Sequence, residues 1–245
     1  MRTLGIIPAR RGSKGIPGKN LRKVGGKSLI EWAVLSARGS NLTDFAVFTN
    51  DPEVMAEAER LECDYYVRPE DECTDDAKIQ QTVKRIAREF RCHHAYCLLQ
   101  PTNPLRSSQD IDECLQEMER TKCDNVLTVS DATGYSPTMG FFWHKDVPIT
   151  PVFPSMMWTR RQDLPMYLIR DGGVYLASRA SAISGHLWSP GAKYVCIDRR
   201  RSVRIDCEDD LLLAEFRLTS QNRQPKLPTS GDPARRGRRG GRKKR

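Results

Sequence analysis

The chain has 245 residues, 38% of them hydrophobic, and contains no apolar run long enough to span a bilayer. Its net charge is +9, but eight of the eleven residues from Arg235 to Arg245 are Arg or Lys, so the remainder is close to neutral and needs no polyanionic partner to explain its charge. Eight cysteines, scattered without a CxxC pair along a chain of this size, suit reduced thiols in a cytosolic enzyme better than a disulfide framework or a zinc site.

The apolar run Leu4 to Ile7 stops at Pro8 and reads as a buried strand. It begins so early that a signal peptide is not expected before it. A loop follows, with Gly12, Gly15 and Gly18 and the cations Arg10, Arg11, Lys14 and Lys19. Glycines let a backbone approach a ligand and turn its N–H groups toward anions, and cations packed this densely repel one another unless an anion sits among them. The loop therefore reads as a cradle for a nucleoside triphosphate or, failing that, as a solvated basic turn. It is not a P-loop: five residues instead of four separate Gly12 from Gly18-Lys19, and Asn20 stands where Ser or Thr is needed. The dinucleotide pattern GxGxxG is absent.

Ser28 predicts a helix cap, with an apolar stripe running to about Arg38. Phe45–Phe48 predicts a strand, and Pro52 a helix start leading into Glu53–Leu61. Tyr65–Val67 is a short strand, and Ile79, Val83, Ile86 and Phe90 space a helix over about Ala77–Phe90. Tyr96–Leu99 is a strand ending in the loop from Gln100 to Arg106. Ser107 or Ser108 caps the next helix, and Val126–Val129 is another strand. Strands alternating with amphipathic helices predict a doubly wound α/β fold with a mostly parallel sheet. Ligands bind such sheets at the carboxyl ends of the strands, where loops 10–20, 49–51, 68–76 and 100–106 would converge.

Residues 131–170 hold prolines, aromatics and methionines without clear periodicity, a long stretch for an irregular connector. Gly173–Ala177 and Tyr194–Ile197 predict strands, and Glu208–Leu218 the last helix. After Thr219 the composition turns to Gln, Pro, Gly, Ser and Arg, which predicts a disordered basic tail over 221–245. The tail either contacts an anionic partner or is a solvated extension. The histidines His93, His94, His144 and His186 show no metal-pair spacing, and no Ser/His/Asp arrangement is visible. An inventory of cations and small hydroxyls suits nucleotidyl transfer, which depends on positioning and charge neutralisation more than on a protein nucleophile.

The run Pro8-Ala9-Arg10-Arg11-Gly12-Ser13-Lys14-Gly15-Ile16-Pro17-Gly18-Lys19-Asn20 resembles the opening motif of the acylneuraminate cytidylyltransferases, the CMP-sialic acid synthetase family with its legionaminic and pseudaminic acid relatives. Arg11 replaces that motif's usual second glycine. Leu98–Arg106 is similar to the family's LLQPTSPLR, Arg161–Pro165 to its RRQDLP-type segment, Asp171–Tyr175 to NGAIY, and Ile205–Glu215 to the IDIDTEEDL..AE ending. The resemblance implies a Rossmann-like, nucleotide-diphospho-sugar transferase-like fold over 1–220, in which 131–170 is an excursion building a homodimer interface and closing over the sugar site. It implies that Arg10, Ser13, Lys14 and Lys19 hold the triphosphate, and that Asn20 and Arg68 lie by the nucleotide. Gln100, Thr102 and Tyr175 would touch the sugar, Arg161 its carboxylate or the phosphates, and Asp206 would bind Mg2+. In isolation, Arg161 also fits a structural ion pair, Tyr175 simple packing, and Gln100 and Thr102 loop caps. The implied reaction joins CTP to a sialic-acid-like 2-keto-3-deoxy sugar acid and releases pyrophosphate. Alternatives are a different sugar and nucleotide on the same fold, or a silent nucleotide- or RNA-binding protein. One departure bears on the metal: the family's Asp-x-Asp pair is Arg204-Ile205-Asp206 here. His186-Leu187 replaces an aromatic pair of the sialic acid enzymes and leaves the sugar open.

Overall fold

A computed structural model of the protein describes residues 1–12 and 15–221. Strand β1 spans Thr3–Ala9, the short pairing strands β2 and β3 span Lys23–Val24 and Lys27–Ser28, and helix α1 spans Leu29–Arg38. Then come β4 (Asp44–Thr49), α2 (Pro52–Arg60), β5 (Tyr65–Val67), α3 (Ile79–Glu89), β6 (Ala95–Leu98), α4 (Ser108–Thr121) and β7 (Asn125–Asp131). Strands β8 (Phe141–His144) and β9 (Val147–Pro151) form a hairpin. Strand β10 (Leu168–Ser178), helix α5 (Arg179–Ser184), β11 (Lys193–Ile197) and α6 (Glu208–Gln221) complete the described chain.

The main sheet has seven strands in the order β11-β7-β10-β6-β1-β4-β5. Its pairs are parallel except those of β10, which runs antiparallel between β6 and β7. Side chains on β1 alternate between two cores. Ile7 and Ala9 face α1, α2 and α4, while Leu4 and Ile6 face α3 and α5. This two-sided burial explains the near-continuous apolar strands. Because β1 has β4 on one side and β6 on the other, and the chain winds outward from it both ways, a crevice opens at its carboxyl end.

Local chemistry sets the helix starts. Ser28 Oγ accepts from the Glu31 N–H, and Asp51 caps α2 with Pro52 in its first turn. Ser107, not Ser108, caps α4, in a reciprocal box with Asp110. Helix α3 starts at Ile79, two residues later than expected: Lys78 is extended and offers no capping oxygen, so Ala77 stays in the preceding loop. Strand β10 is longer than Gly173–Ala177 and bulges between Arg170 and Tyr175. The irregular stretch 131–170 contains the β8–β9 hairpin and several short turns. The tail beyond 221 lies outside the described residues.

A third apolar cluster positions the site. Ile16, Val24 and Leu29, from just after β1, pack against Val203, Ile205, Leu211 and Ala214 near the end of the described chain. This contact brings the segment before α6 against the first loop.

Candidate nucleotide-binding cleft

At the carboxyl ends of β1 and β6 lies a cleft of about 400 Å³. Its walls bring together Arg10, Lys19, Asn20, Arg68, Gln100, Thr102 and Asp206, seven of the residues singled out from sequence. Ser13 and Lys14 lie outside the described residues. Arg161 falls on the turn Arg161–Asp163, and its side chain is likewise outside what is described. Tyr175 is not among the residues lining the cleft; it is half-buried against the core on the α3 side, where burial raises its phenol pKa.

The first loop is shaped by two glycines. Gly18, at φ 60°, starts the turn Lys19–Leu21 in the left-handed region, where a side chain is strained. At Gly15 a Cβ would lie 2.5 Å from the Asp206 carbonyl oxygen, so only a bare backbone passes there. The Asn20 side-chain amide donates to the Arg10 carbonyl at 3.2 Å and ties the loop's ends. Lys19 Nζ donates to the Ile205 carbonyl at 3.0 Å and lies 3.6 Å from Asp206 Oδ1. Arg10 is held by Asp75 at 2.7 Å and by the Cys73 carbonyl at 3.1 Å.

Arg68 is the most buried cation on the wall, only 4% exposed. One Nη donates to the Glu72 carbonyl at 2.6 Å and to Thr82 Oγ1 at 3.0 Å. Its Nε finds no acceptor among the described residues. Burial pushes its pKa below the ordinary arginine value. A buried donor without a partner costs free energy, so Arg68 is held in the wall at a cost that the surrounding packing offsets.

The Gln100–Arg106 loop is held from beneath by Arg106. Its guanidinium donates to the carbonyls of Gln100 at 3.0 Å and Gly173 at 2.9 Å and to Ser36 Oγ at 3.1 Å, and burial lowers its pKa to about 10. Asn103 donates to the Asp171 carbonyl at 2.8 Å.

Sequence reasoning missed several wall residues. Ala77 and Ile79 line the cleft from the start of α3, and Glu72 lines it while paired with Arg85 at 2.7 Å. Ala77 and Ile79 belong to no charge run or glycine pattern, whereas Glu72 lies in the acidic run Glu70–Glu72 of the 68–76 loop. The 49–51 loop braces the site without lining the main cleft: Asn50 accepts from the Arg11 N–H at 2.9 Å and donates to Glu70 at 3.0 Å.

Among the described residues, no group of three or more His, Cys, Asp or Glu side chains gathers around a common point. Asp206 is the exposed carboxylate of the cleft, beside Lys19 and with Arg204 at 2.7 Å. A single exposed carboxylate beside a glycine- and cation-rich loop supplies one hard oxygen ligand, enough only for a divalent cation that keeps water and takes further ligands from a bound anion.

Comparison with known proteins agrees with this geometry. A family model described as cytidylyltransferase matches residues 4–138. The N-acylneuraminate cytidylyltransferase of Escherichia coli O18:K1:H7 is 28% identical over 239 residues, covering 91% of this chain and 54% of that protein. A CMP-N,N'-diacetyllegionaminic acid synthase of Legionella pneumophila is 32% identical over 139 residues, covering 53% of this chain and 58% of that one. The post-translational flagellin modification protein B of Campylobacter coli is 25% identical and covers 90% and 96% of the two chains. The chain thus spans about half the length of the N-acylneuraminate cytidylyltransferases it matches. Among solved structures, a CMP:2-keto-3-deoxy-manno-octonic acid synthetase complexed with CTP superposes with a TM-score of 0.68 at 17% identity, over 91% of this chain and 100% of that one, and so shares its fold. The strand order, the glycine loop after β1 and a family match over more than half of its residues agree: this chain belongs to the cytidylyltransferase family.

Proposed function

We propose that the cleft binds CTP and that the protein transfers its CMP to the anomeric hydroxyl of a nonulosonic, sialic-acid-like 2-keto-3-deoxy sugar acid, releasing pyrophosphate. The observation that carries this reading is the gathering of Arg10, Lys19 and the buried Arg68 around one cleft with the carboxylate of Asp206. The names of the relatives supply the nucleotide and the class of sugar. Lys19 and Arg10 draw charge from the triphosphate, with Ser13 and Lys14 of the same loop, while Asn20 and Arg68 lie by the nucleoside. Gln100 and Thr102 line the side where the sugar enters, with Arg161 offered to an acid group. In the reaction the sugar oxygen bonds to the α-phosphorus as the α–β bridging bond breaks.

Asp206, together with the phosphates, would hold Mg2+, which when bound withdraws charge from the phosphoryl group and lowers the pKa of the attacking hydroxyl. The exposed apolar side chains Phe141, Phe142, Trp143, Ile149 and Trp158 of the excursion support a homodimer. Among the described residues no helix is long and apolar enough to cross a membrane, and all eight cysteines are free, which suits the reducing cytoplasm.

The test is a pyrophosphate assay over a small matrix of nucleoside triphosphates and sugar acids, with divalent cation present. Release confined to CTP with a nonulosonic acid is the expected result. Release with another pair moves the protein to a different sugar nucleotide, and binding without release under every pairing makes it a nucleotide binder. Replacing Arg10 and Lys19 together by Met should weaken CTP binding by about a hundredfold, taking one charged hydrogen bond for each side chain.

A further inference from the structure

Arg204 occupies the position where the resemblance expects a carboxylate. Val203 and Ile205 are buried, at 3% and 0% exposed, so Arg204 and Asp206 share the outward side of an extended segment. Arg204 Nε donates to Asp206 Oδ2 at 2.7 Å, while Asp206 Oδ1 lies 3.6 Å from Lys19 Nζ. One carboxylate is therefore shared by two cations at the cleft wall, and the trio carries a net positive charge. The terminal nitrogens of Arg204 donate to none of the described residues, and its side chain is 61% exposed. Its arm runs toward the sugar side of the cleft: a Cβ at Gly172 would meet Arg204 Cδ at 3.7 Å and Gln100 Oε1 at 3.5 Å.

We propose that Arg204 is an exchangeable cation: it neutralises Asp206 in the free protein, then turns to a phosphate of an arriving nucleoside triphosphate and frees the Asp206 carboxylate for a divalent cation. The proposal rests on the reading of the cleft as a CTP site. A guanidinium fork matches phosphate as well as carboxylate, and a phosphate in a triphosphate brings more negative charge. The exposed arm rotates without disturbing the core, and the free Nη groups are the donors left for the new partner. Two consequences follow from the linkage. The free protein binds divalent cations weakly, because a metal at Asp206 must displace a guanidinium. The nucleotide binds measurably without metal, because Arg204 supplies part of the positive charge; each ligand then favours the other.

The experiment measures CTP affinity by calorimetry in excess EDTA, and Mn2+ affinity by electron paramagnetic resonance without nucleotide, for the full chain, Arg204→Ala and Arg204→Lys. Arg204→Ala is expected to bind CTP about tenfold more weakly in EDTA and Mn2+ about tenfold more tightly, as for loss of one charged hydrogen bond. Arg204→Lys, which keeps the charge but loses the fork and its spare donors, should fall between Arg204→Ala and wild type in both. Equal CTP affinity without metal in Arg204→Ala and wild type, or equal Mn2+ affinity, overturns the exchange. Wild type that binds CTP with Mg2+ yet shows either equality retires only this inference. Wild type that binds CTP under neither condition removes the CTP reading and the exchange together.

Discussion

Arg68 keeps one nitrogen without an acceptor among the described residues in the cleft wall, and on strand β10 Asp171 keeps a carboxylate in a nearly dry setting. Both are charges that burial opposes, and they lead to different expectations. Arg68→Met should leave the fold intact but raise the CTP dissociation constant by about tenfold or more, read by calorimetry; an unchanged constant would remove Arg68 from the site. At Asp171, burial raises the carboxyl pKa above its ordinary range, while the Thr128 hydroxyl at 2.5 Å and the Gly173 N–H at 3.2 Å, both donating to it, pull the other way. A folded-state pKa above the unfolded value means that the ionised side chain costs stability at neutral pH; the cost starts to shrink as pH falls through the raised value and is gone below the unfolded one. Asp171→Asn keeps an acceptor for both donors and should melt above wild type at neutral pH. The gap should close on acidification, and a gap independent of pH in thermal melts would contradict the assignment. Asp171 stands where the resembling motif has Asn, so the position was legible in the sequence, but its burial was not.

The α4 start shows how one element end serves two parts of the fold. Asp110 accepts from the Ser107 N–H at 2.8 Å and from both Nη groups of Arg201 at 2.7 Å, so the same carboxylate closes the capping box and anchors the segment leading to Asp206. Ser107→Ala should cost about 1 kcal/mol, the usual worth of a cap. Asp110→Ala removes the carboxylate of Arg201, leaving its guanidinium the Ser107 hydroxyl at 3.2 Å, and should cost about 3 kcal/mol. Urea unfolding measures both, and equal losses would mean that the Arg201 contact contributes nothing. At this scale the fold was largely readable. The strands ending at the site, the Ser28 cap and the Pro52 helix start follow from period, length and turn chemistry. The β8–β9 hairpin was not readable, because its strands are exposed almost throughout and two prolines stand in β9, so no inside-outside alternation marks the register. Nor was the pairing of Arg10 with Asp75, since two charges 65 residues apart carry no local signal.

For the molecule as a whole, the exposed aromatics of the hairpin are what the proposed homodimer would cover. Phe142→Ser combined with Trp143→Ser should shift sedimentation toward the monomer while leaving the seven-stranded sheet folded; an unaltered sedimentation coefficient would place any interface elsewhere. The closeness of Gly15 to Asp206 has a different consequence, one of timing. All seven strands of the main sheet are present once Ile197 has been made, yet the wall carrying Asp206 is set only when α6 seats on Ile16, Val24 and Leu29. During synthesis on the ribosome a nascent chain can thus hold a finished sheet and still lack a complete nucleotide site, so among the described elements competence arrives last, with the docking of the final helix onto residues made first.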